Sequence, residues 1–353
     1  MNTLFVRYRL ALLLLGISFA ISATGLAQPK PDRTVADIAL LQGENRLQTL
    51  MEGAKKEGEL NVYFPYSHAV KVTDAFTQKY GVKVNNWRSS SENILQRIVS
   101  EARGGRFEVD ITLNVATEME ALHREKLLQQ VRSPHLIDLM PQAIPAHKEW
   151  VGIAVEMFVQ GYNTAKIRKE ELPKTYQDLL DPKWKGRLGI EAADQQWFAY
   201  VLQELGQEKG IKLFKDIVAT NGMSVRKGHS LLAQMVASGE VPLALTLYAW
   251  GPDQLKQKGA PIERFNISQP IAMFGGMGLL KKAPHPHAAV LFYDFMLTDG
   301  QEIMSKQHSI ATSSKLDVAQ KKIPMRFIDP AAVLDNSEKW LQTFDEVFVK
   351  RTK

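Results

Sequence analysis

The sequence predicts an α/β fold of two lobes, each a mostly parallel sheet flanked by helices, joined by two hinge crossovers. Three observations carry that expectation. Short runs rich in β-branched and aromatic residues alternate with segments of helical period, the rhythm of a parallel sheet covered on both faces. The rhythm breaks off in the middle of the chain and then starts again. Two long extended segments, 155–163 and 265–274, stand between the repeats as candidate crossovers.

The first residues are of another kind. Arg7 and Arg9 precede an apolar run from Leu10 to Ile21, and small residues follow to Gly25-Leu26-Ala27. A basic start, a short apolar segment and a small-x-small end describe a secretory signal peptide over 1–27, cleaved after Ala27. The run is shorter than the roughly 20 apolar residues of a membrane span. Residues 28–44 read as an N-terminal tail, polar and Pro-rich at its start. A helix over 45–58 follows, with Leu47, Leu50, Met51 and Ala54 at helical spacing and Gly58 as its stop.

Strand 60–64, helix 70–80, strand 82–84, helix 93–102, strand 109–113 and helix 118–126 make the first unit. A strand-like stretch over 150–162 leaves it. Strand 188–191, helices 197–208, 211–219 and 229–238, and strand 243–247 make the second. The apolar run 241–250 reads as a buried strand, which puts Tyr248 and Trp250 on one face. The expected partition is 45–157 plus 270–315 for the first lobe and 158–269 plus 316–353 for the second.

Composition removes several functions. There is no cysteine, which excludes disulfides, Cys-ligated zinc, iron–sulfur clusters, thiol catalysis and an N-terminal lipidated cysteine. No cofactor is expected. The formal net charge of +6 falls to +4 once the two arginines of the leader are removed. No basic block stands out, so nucleic acid is not an expected partner.

Three segments resemble the substrate-binding proteins of bacterial ABC importers, in the group that holds periplasmic iron(III), thiamine and phosphonate binders. They are Gly53-Ala54-Lys55-Lys56-Glu57-Gly58-Glu59-Leu60, Tyr176-Gln177-Asp178-Leu179-Leu180-Asp181-Pro182-Lys183-Trp184-Lys185-Gly186-Arg187, and Pro284-His285-Pro286-His287-Ala288-Ala289 running to Gly300-Gln301. The resemblance spans nearly all of the mature chain. It implies the type II periplasmic binding fold, a periplasmic location, an inner-membrane ABC permease as partner, and lobes that close on a solute by a hinge motion. A monomer suits that motion. Read physically, the same segments are structural. Asp181-Pro182 is a turn, Trp184 buries its ring, and Pro286 opens a helix that His285 and His287 flank.

In parallel sheets ligands bind beyond the carboxyl ends of the strands. That rule selects Tyr66, Ser67 and His68, then Ser89, Ser90 and Ser91, and Asn114. In the second lobe it selects Asp194, Arg226, His229, Ser230, Tyr248 and Trp250. Ser89 and Glu92 stand at capping-box spacing, and the free N–H groups of the same helix start suit an anionic group. Trp87 and Trp197 are further aromatic candidates. An anionic organic solute, a carboxylate, phosphate ester or phosphonate, is the expectation.

Iron(III) is the alternative, with Tyr248 and His68 as its ligands. Against it, the resemblance implies two adjacent tyrosines where this chain has Tyr248-Ala249. The acidic ligand it implies falls at Asn114 and Val115, and the arginine that holds an accompanying anion falls near Met157 and Phe158. An enzyme has little support. Gly-x-Ser-x-Gly, His-Glu-x-x-His and P-loop motifs are missing, and Gly275-Gly276-Met277-Gly278 lacks dinucleotide spacing. Only His68, His229, Asp194 and Glu156 offer acid–base chemistry.

Overall fold

Two sheets share one strand. The computed structural model describes residues 33–316 and 318–350, so the expected leader, its cleavage point and the start of the tail lie outside the described residues. From Thr34 the expected tail is already folded. The Thr34 side chain caps helix α1 (Val35–Ala39), and Ile38 and Ala39 are buried. Burial of those two side chains outweighs the polar composition around them.

α2 (Arg46–Glu57) ends at Gly58, whose φ of 77° is the left-handed conformation glycine adopts without strain. β1 (Glu59–Phe64), α3 (Ala69–Tyr80), β2 (Lys83–Arg88), α4 (Ser91–Arg103), β3 (Ile111–Val115) and α5 (Ala116–Arg124) follow in strict alternation. After β4 (Leu128–Gln129) comes β5 (Val151–Asn163), buried along its whole length. The second unit holds β6 (Leu188–Glu191), α6 (Gln195–Leu205), α7 (Gln207–Asn221), β7 (Ser224–Arg226), α8 (His229–Ser238) and β8 (Leu243–Tyr248). α9 (Trp250–Gln257) and β9 (Ile262–Phe265) complete it. Trp250 therefore opens a helix and does not prolong the strand of Tyr248, as the apolar run had implied. β10 (Ile271–Leu280), α10 (Pro286–Leu297), α11 (Asp299–Ser305), β11 (Ile310–Ala311), α12 (Val318–Lys321), β12 (Arg326–Phe327), α13 (Pro330–Asp335) and α14 (Ser337–Phe344) follow, and a π-helical turn (Asp345–Val349) comes after α14.

The first sheet has the order β2-β1-β3-β10-β5 and the second β5-β8-β6-β7. β5 serves both, because Val151 to Met157 pairs with β10 and Phe158 to Tyr162 with β8. Strands β1, β2 and β3 are mutually parallel, as are β6, β7 and β8. The crossing strands β5 and β10 run antiparallel to β3, to β8 and to each other. A second crossing joins β9, paired with β5, to β10. A third lies near residue 336. β12 pairs with β10 and α13 packs on α5, whereas Phe344 and Phe348 stack on Phe198 of α6. β12 and α13 thus pack on elements of the first sheet's side, while Arg326 and Asp329 between them bond to Glu204 and Tyr200 of α6.

The segments that carried the resemblance are packing devices. Trp184 is fully buried and its indole N–H donates to the Asp178 carbonyl at 3.0 Å. Asp181 accepts from the Lys183 N–H. His285 and His287 anchor the start of α10 through Asp110 at 2.9 Å and Glu57 at 2.6 Å. Among the described residues no helix is long and apolar enough to cross a membrane.

Candidate functional site

The carboxyl ends of all six parallel strands meet at one cavity of about 560 Å³ between the two sheets. β1 delivers Tyr66, β2 the run Ser89 to Ser91, β3 Val115, β6 Asp194, β7 the loop Lys227 to Ser230, and β8 Tyr248. Trp250 lines the same wall from the first turn of α9. Of the expected residues, Tyr66, Ser89, Ser90, Ser91, Asp194, His229, Ser230, Tyr248 and Trp250 all face this cavity.

Four expected residues do not. Ser67 is exposed outside it. His68 lies behind the wall, its ring 5.6 Å from that of Tyr66 and 5.0 Å from that of Trp250. Neither of its nitrogens has a partner, and burial lowers its pKa to about 4, so it packs as a neutral ring. Asn114 is a strut. Its amide donates to the Ser91 carbonyl at 3.1 Å and its oxygen accepts from the Val115 N–H. Arg226 turns away, donating to the Val225 carbonyl and lying 4.0 Å from Glu240. The two extra tryptophans are also elsewhere. Trp87 stacks with Tyr63 and Arg97, and Trp197 is core. The cap of α4 is Ser90, whose side chain accepts from the Asn93 N–H at 3.3 Å, one residue later than the capping-box spacing placed it.

Glu191 is the wall acid that sequence reading missed, and Glu156, named there only as an acid–base candidate, proves to back the same wall. Glu191 is the last residue of β6; its carboxylate accepts from the Gly228 N–H at 2.7 Å and the Ala193 N–H at 2.5 Å, which fixes the loop before α8. Glu191, Asp194 and His229 bring their donor atoms within 4.8 Å of one another. Glu156, on the crossing strand, is 1% exposed and accepts from the Trp250 indole N–H at 2.8 Å. Its other oxygen has no partner, and neither has the Tyr66 hydroxyl. The two are neighbours across Gly275, since a Cβ there would lie 2.9 Å from the hydroxyl and 3.3 Å from the carboxylate. An acid inside the otherwise apolar run 153–159 was the signal available for Glu156.

Burial dominates the electrostatics. It raises Glu156 to about 7, against the Trp250 hydrogen bond and the His229 charge. It raises Glu118, half-buried on the wall, to about 7 as well. Tyr66 and Tyr248 are held well above the phenol range by burial and by the carboxylates around them. Burial opposes charge on His229 too. The Asp194 carboxylate at 3.2 Å, with Glu191 and Glu156 behind it, overcomes that and pushes it up to about 9. Lys227, at the mouth, pairs with Glu92 from the other lobe at 3.1 Å. Six buried polar atoms around this wall lack a partner: Tyr66 Oη, both nitrogens of His68, Glu156 Oε1, Asp194 Oδ2 and His229 Nδ1. Acids, phenols and imidazoles thus converge on this wall, and several of their buried polar atoms have no partner among the described residues.

Comparison with known proteins agrees on the architecture. The family of bacterial extracellular solute-binding proteins matches residues 114–336. The Fe(3+)-binding periplasmic protein of Serratia marcescens is 27% identical over 315 residues, covering 85% of this chain and 92% of its own. Iron-bound HitA from Pseudomonas aeruginosa superposes with a TM-score of 0.70 at 25% identity, over 82% of this chain and 99% of that one. AfuA from Actinobacillus pleuropneumoniae, with fructose-6-phosphate bound, gives 0.72 at 22% identity, over 82% and 98%.

Proposed function

The chain belongs to the bacterial extracellular solute-binding proteins, and from that premise we propose that it captures iron(III) between its lobes in the periplasm and delivers it to an ABC-type membrane importer. The observation that carries this reading is the donor set. Tyr66, Tyr248, Glu156, Glu191, Asp194 and His229 line or back one cavity, and several of their oxygens have no partner in the protein. Hard cations are held by anionic oxygen donors. Glu156 from β5 and Glu191 from β6 supply carboxylates other than the one expected at Asn114, so the objection raised there and at Ala249 loses its force. Named relatives and one structure at 25% identity are iron proteins, which supports the same choice.

The wall also disfavours an anionic organic solute as the main cargo. Its buried carboxylates repel a negative group, and one of its few cations, Lys227, is paired with Glu92. A second reading remains attached to one observation: Ser89, Ser90 and Ser91 present hydroxyls at the start of α4 beside Arg88, a place suited to a phosphate or carboxylate. An enzyme would need a reacting group positioned by a base. His229 is instead held as a cation by Asp194.

Because phenol and carboxyl protons must leave when a metal binds, uptake releases protons and weakens in acid. The test is native mass spectrometry of the mature protein, followed by iron titration with visible absorption. A tyrosinate-to-iron band that weakens in Tyr248→Phe and disappears when Tyr66→Phe is added is the expected result. A co-purified phosphate ester or organic acid, with no band on adding iron, refutes it in favour of the second reading.

A further inference from the structure

A second cluster of ligating side chains lies on the first lobe, away from the cleft. Glu120 and His123 stand three residues apart on α5 and so share a helix face. His147 and Glu149 reach them from the loop that leads into β5. The His147 Nε2 is 3.3 Å from Glu120 Oε2, and the His123 Nδ1 is 2.7 Å from Glu149 Oε2. The donor atoms of Glu120, His123 and His147 lie within 4.8 Å of one another. All four side chains are partly exposed, between 11% and 28%, which leaves a path for an ion.

We propose that Glu120, His123, His147 and Glu149 form a second metal site, for a divalent transition-metal ion such as zinc. Zinc is held by four imidazole and carboxylate donors at about 2.0–2.2 Å in a tetrahedron, which sets donor atoms roughly 3.3 Å apart. The Glu120–His147 separation already has that value. The two imidazoles are stacked, with centroids 3.6 Å apart and planes 11° from parallel, so they turn about χ2 to aim at one ion. The metal-free protein also uses His147 Nδ1 to accept from the Glu149 N–H at 3.1 Å. With Nδ1 accepting, the ring proton lies on Nε2 against Glu120, so metal binding at Nε2 moves it to Nδ1 and exchanges both hydrogen bonds for the bonds to the ion. Arg124, 3.5 Å from Glu120 Oε1, and Lys281, 3.9 Å from Glu149 Oε1, hold the outer oxygens and leave the inner ones to the metal.

The site is separate from the cargo cleft. Glu118 is the cleft-lining residue furthest along α5; Glu120 stands two residues on, about 200° round the helix and so on its opposite side, and His123 five residues on, about 7.5 Å along it. A bound ion would tie α5 to the loop before the strand that both sheets share. In a chain without cysteine, no disulfide performs that service.

The experiment is a zinc titration of the full mature protein by calorimetry, with thermal unfolding and cobalt absorption as second readouts. Asp194→Asn is used to disable the cleft. That variant should still take up one zinc equivalent, rise in Tm, and show tetrahedral cobalt bands. Adding His123→Ala or His147→Ala should weaken zinc binding by more than the roughly 100-fold that losing an outer-shell partner costs, and abolish the Tm rise and the bands. The iron response of the cleft should survive the two histidine changes in the otherwise wild-type protein. If the histidine variants bind zinc as tightly as their parent, or the Asp194→Asn protein takes up none, the site does not exist.

Discussion

Replacing Glu156 by glutamine should make the ligand-free protein more stable, and only above acid pH. The carboxyl is 1% exposed and its pKa is pushed up to about 7, from an ordinary 4.5, mainly by burial. A raised carboxyl pKa means the folded state holds the proton more tightly than the unfolded one. Between pH 4.5 and 7 the unfolded chain binds fewer protons, so stability falls as pH rises, and above 7 the loss is complete. At about 1.4 kcal/mol per pH unit, the wild-type protein loses about 3 kcal/mol. Glutamine carries no charge, and its amide oxygen still accepts from the Trp250 N–H that Glu156 holds at 2.8 Å. Thermal unfolding of the two proteins from pH 4.5 to 8 measures the effect. The variant should melt roughly 5 °C higher at pH 8, with the difference closing towards pH 4.5, and iron affinity should fall. A Tm difference that is constant across that range, or of opposite sign, would refute the assignment of a strained, ionisable Glu156.

His229 should titrate near 9 by NMR, and Asp194→Asn should lower it, because burial is then opposed only by Glu191 and Glu156. The sign is opposite to that of Glu156: the pair's stability is fully present below pH 6.5 and lost as pH rises through 9. Gly275→Ala adds a methyl 2.9 Å from the Tyr66 hydroxyl and 3.3 Å from Glu156; iron titration should show at least a tenfold loss of affinity, with destabilisation of about 1–3 kcal/mol by thermal unfolding. Glu92→Gln removes the Lys227 partner across the cleft. Both side chains are largely exposed, so the effect should stay under about 1 kcal/mol and vanish in high salt, read as a small increase in the open form by X-ray scattering.

The alternation of strands and helices was legible because each element keeps one period over its length. β1, α3 and α8 are cases, and the strand-end rule then selected nine residues that line the cavity. Three kinds of feature were not legible. Trp250 sits in an apolar run that periodicity reads as strand, and only the backbone after Tyr248 turns it into a helix start. Asn114 and Arg226 stand where ligands bind, but local hydrogen bonds to Ser91 and Val225 consume them. Glu156 and Glu191 lie inside buried strands, where an acid is costly and pattern reading assumes packing. Their partners, Trp250 and the Gly228 N–H, come from 94 and 37 residues away. No local pattern reports such a distance.

The threefold passage of the chain between the sheets also bears on how the molecule comes into being. β10 is the strand between β3 and β5, yet it follows them by more than a hundred residues. A chain emerging from its N terminus therefore holds β1, β2 and β3 with an open edge until residue 280 is available. The aromatic seal on α6 waits longer, for Phe344 and Phe348. Neither half can finish before nearly the whole polypeptide has appeared. Contacts this distant in sequence are formed late, so closure of both sheets belongs to the last stage of folding.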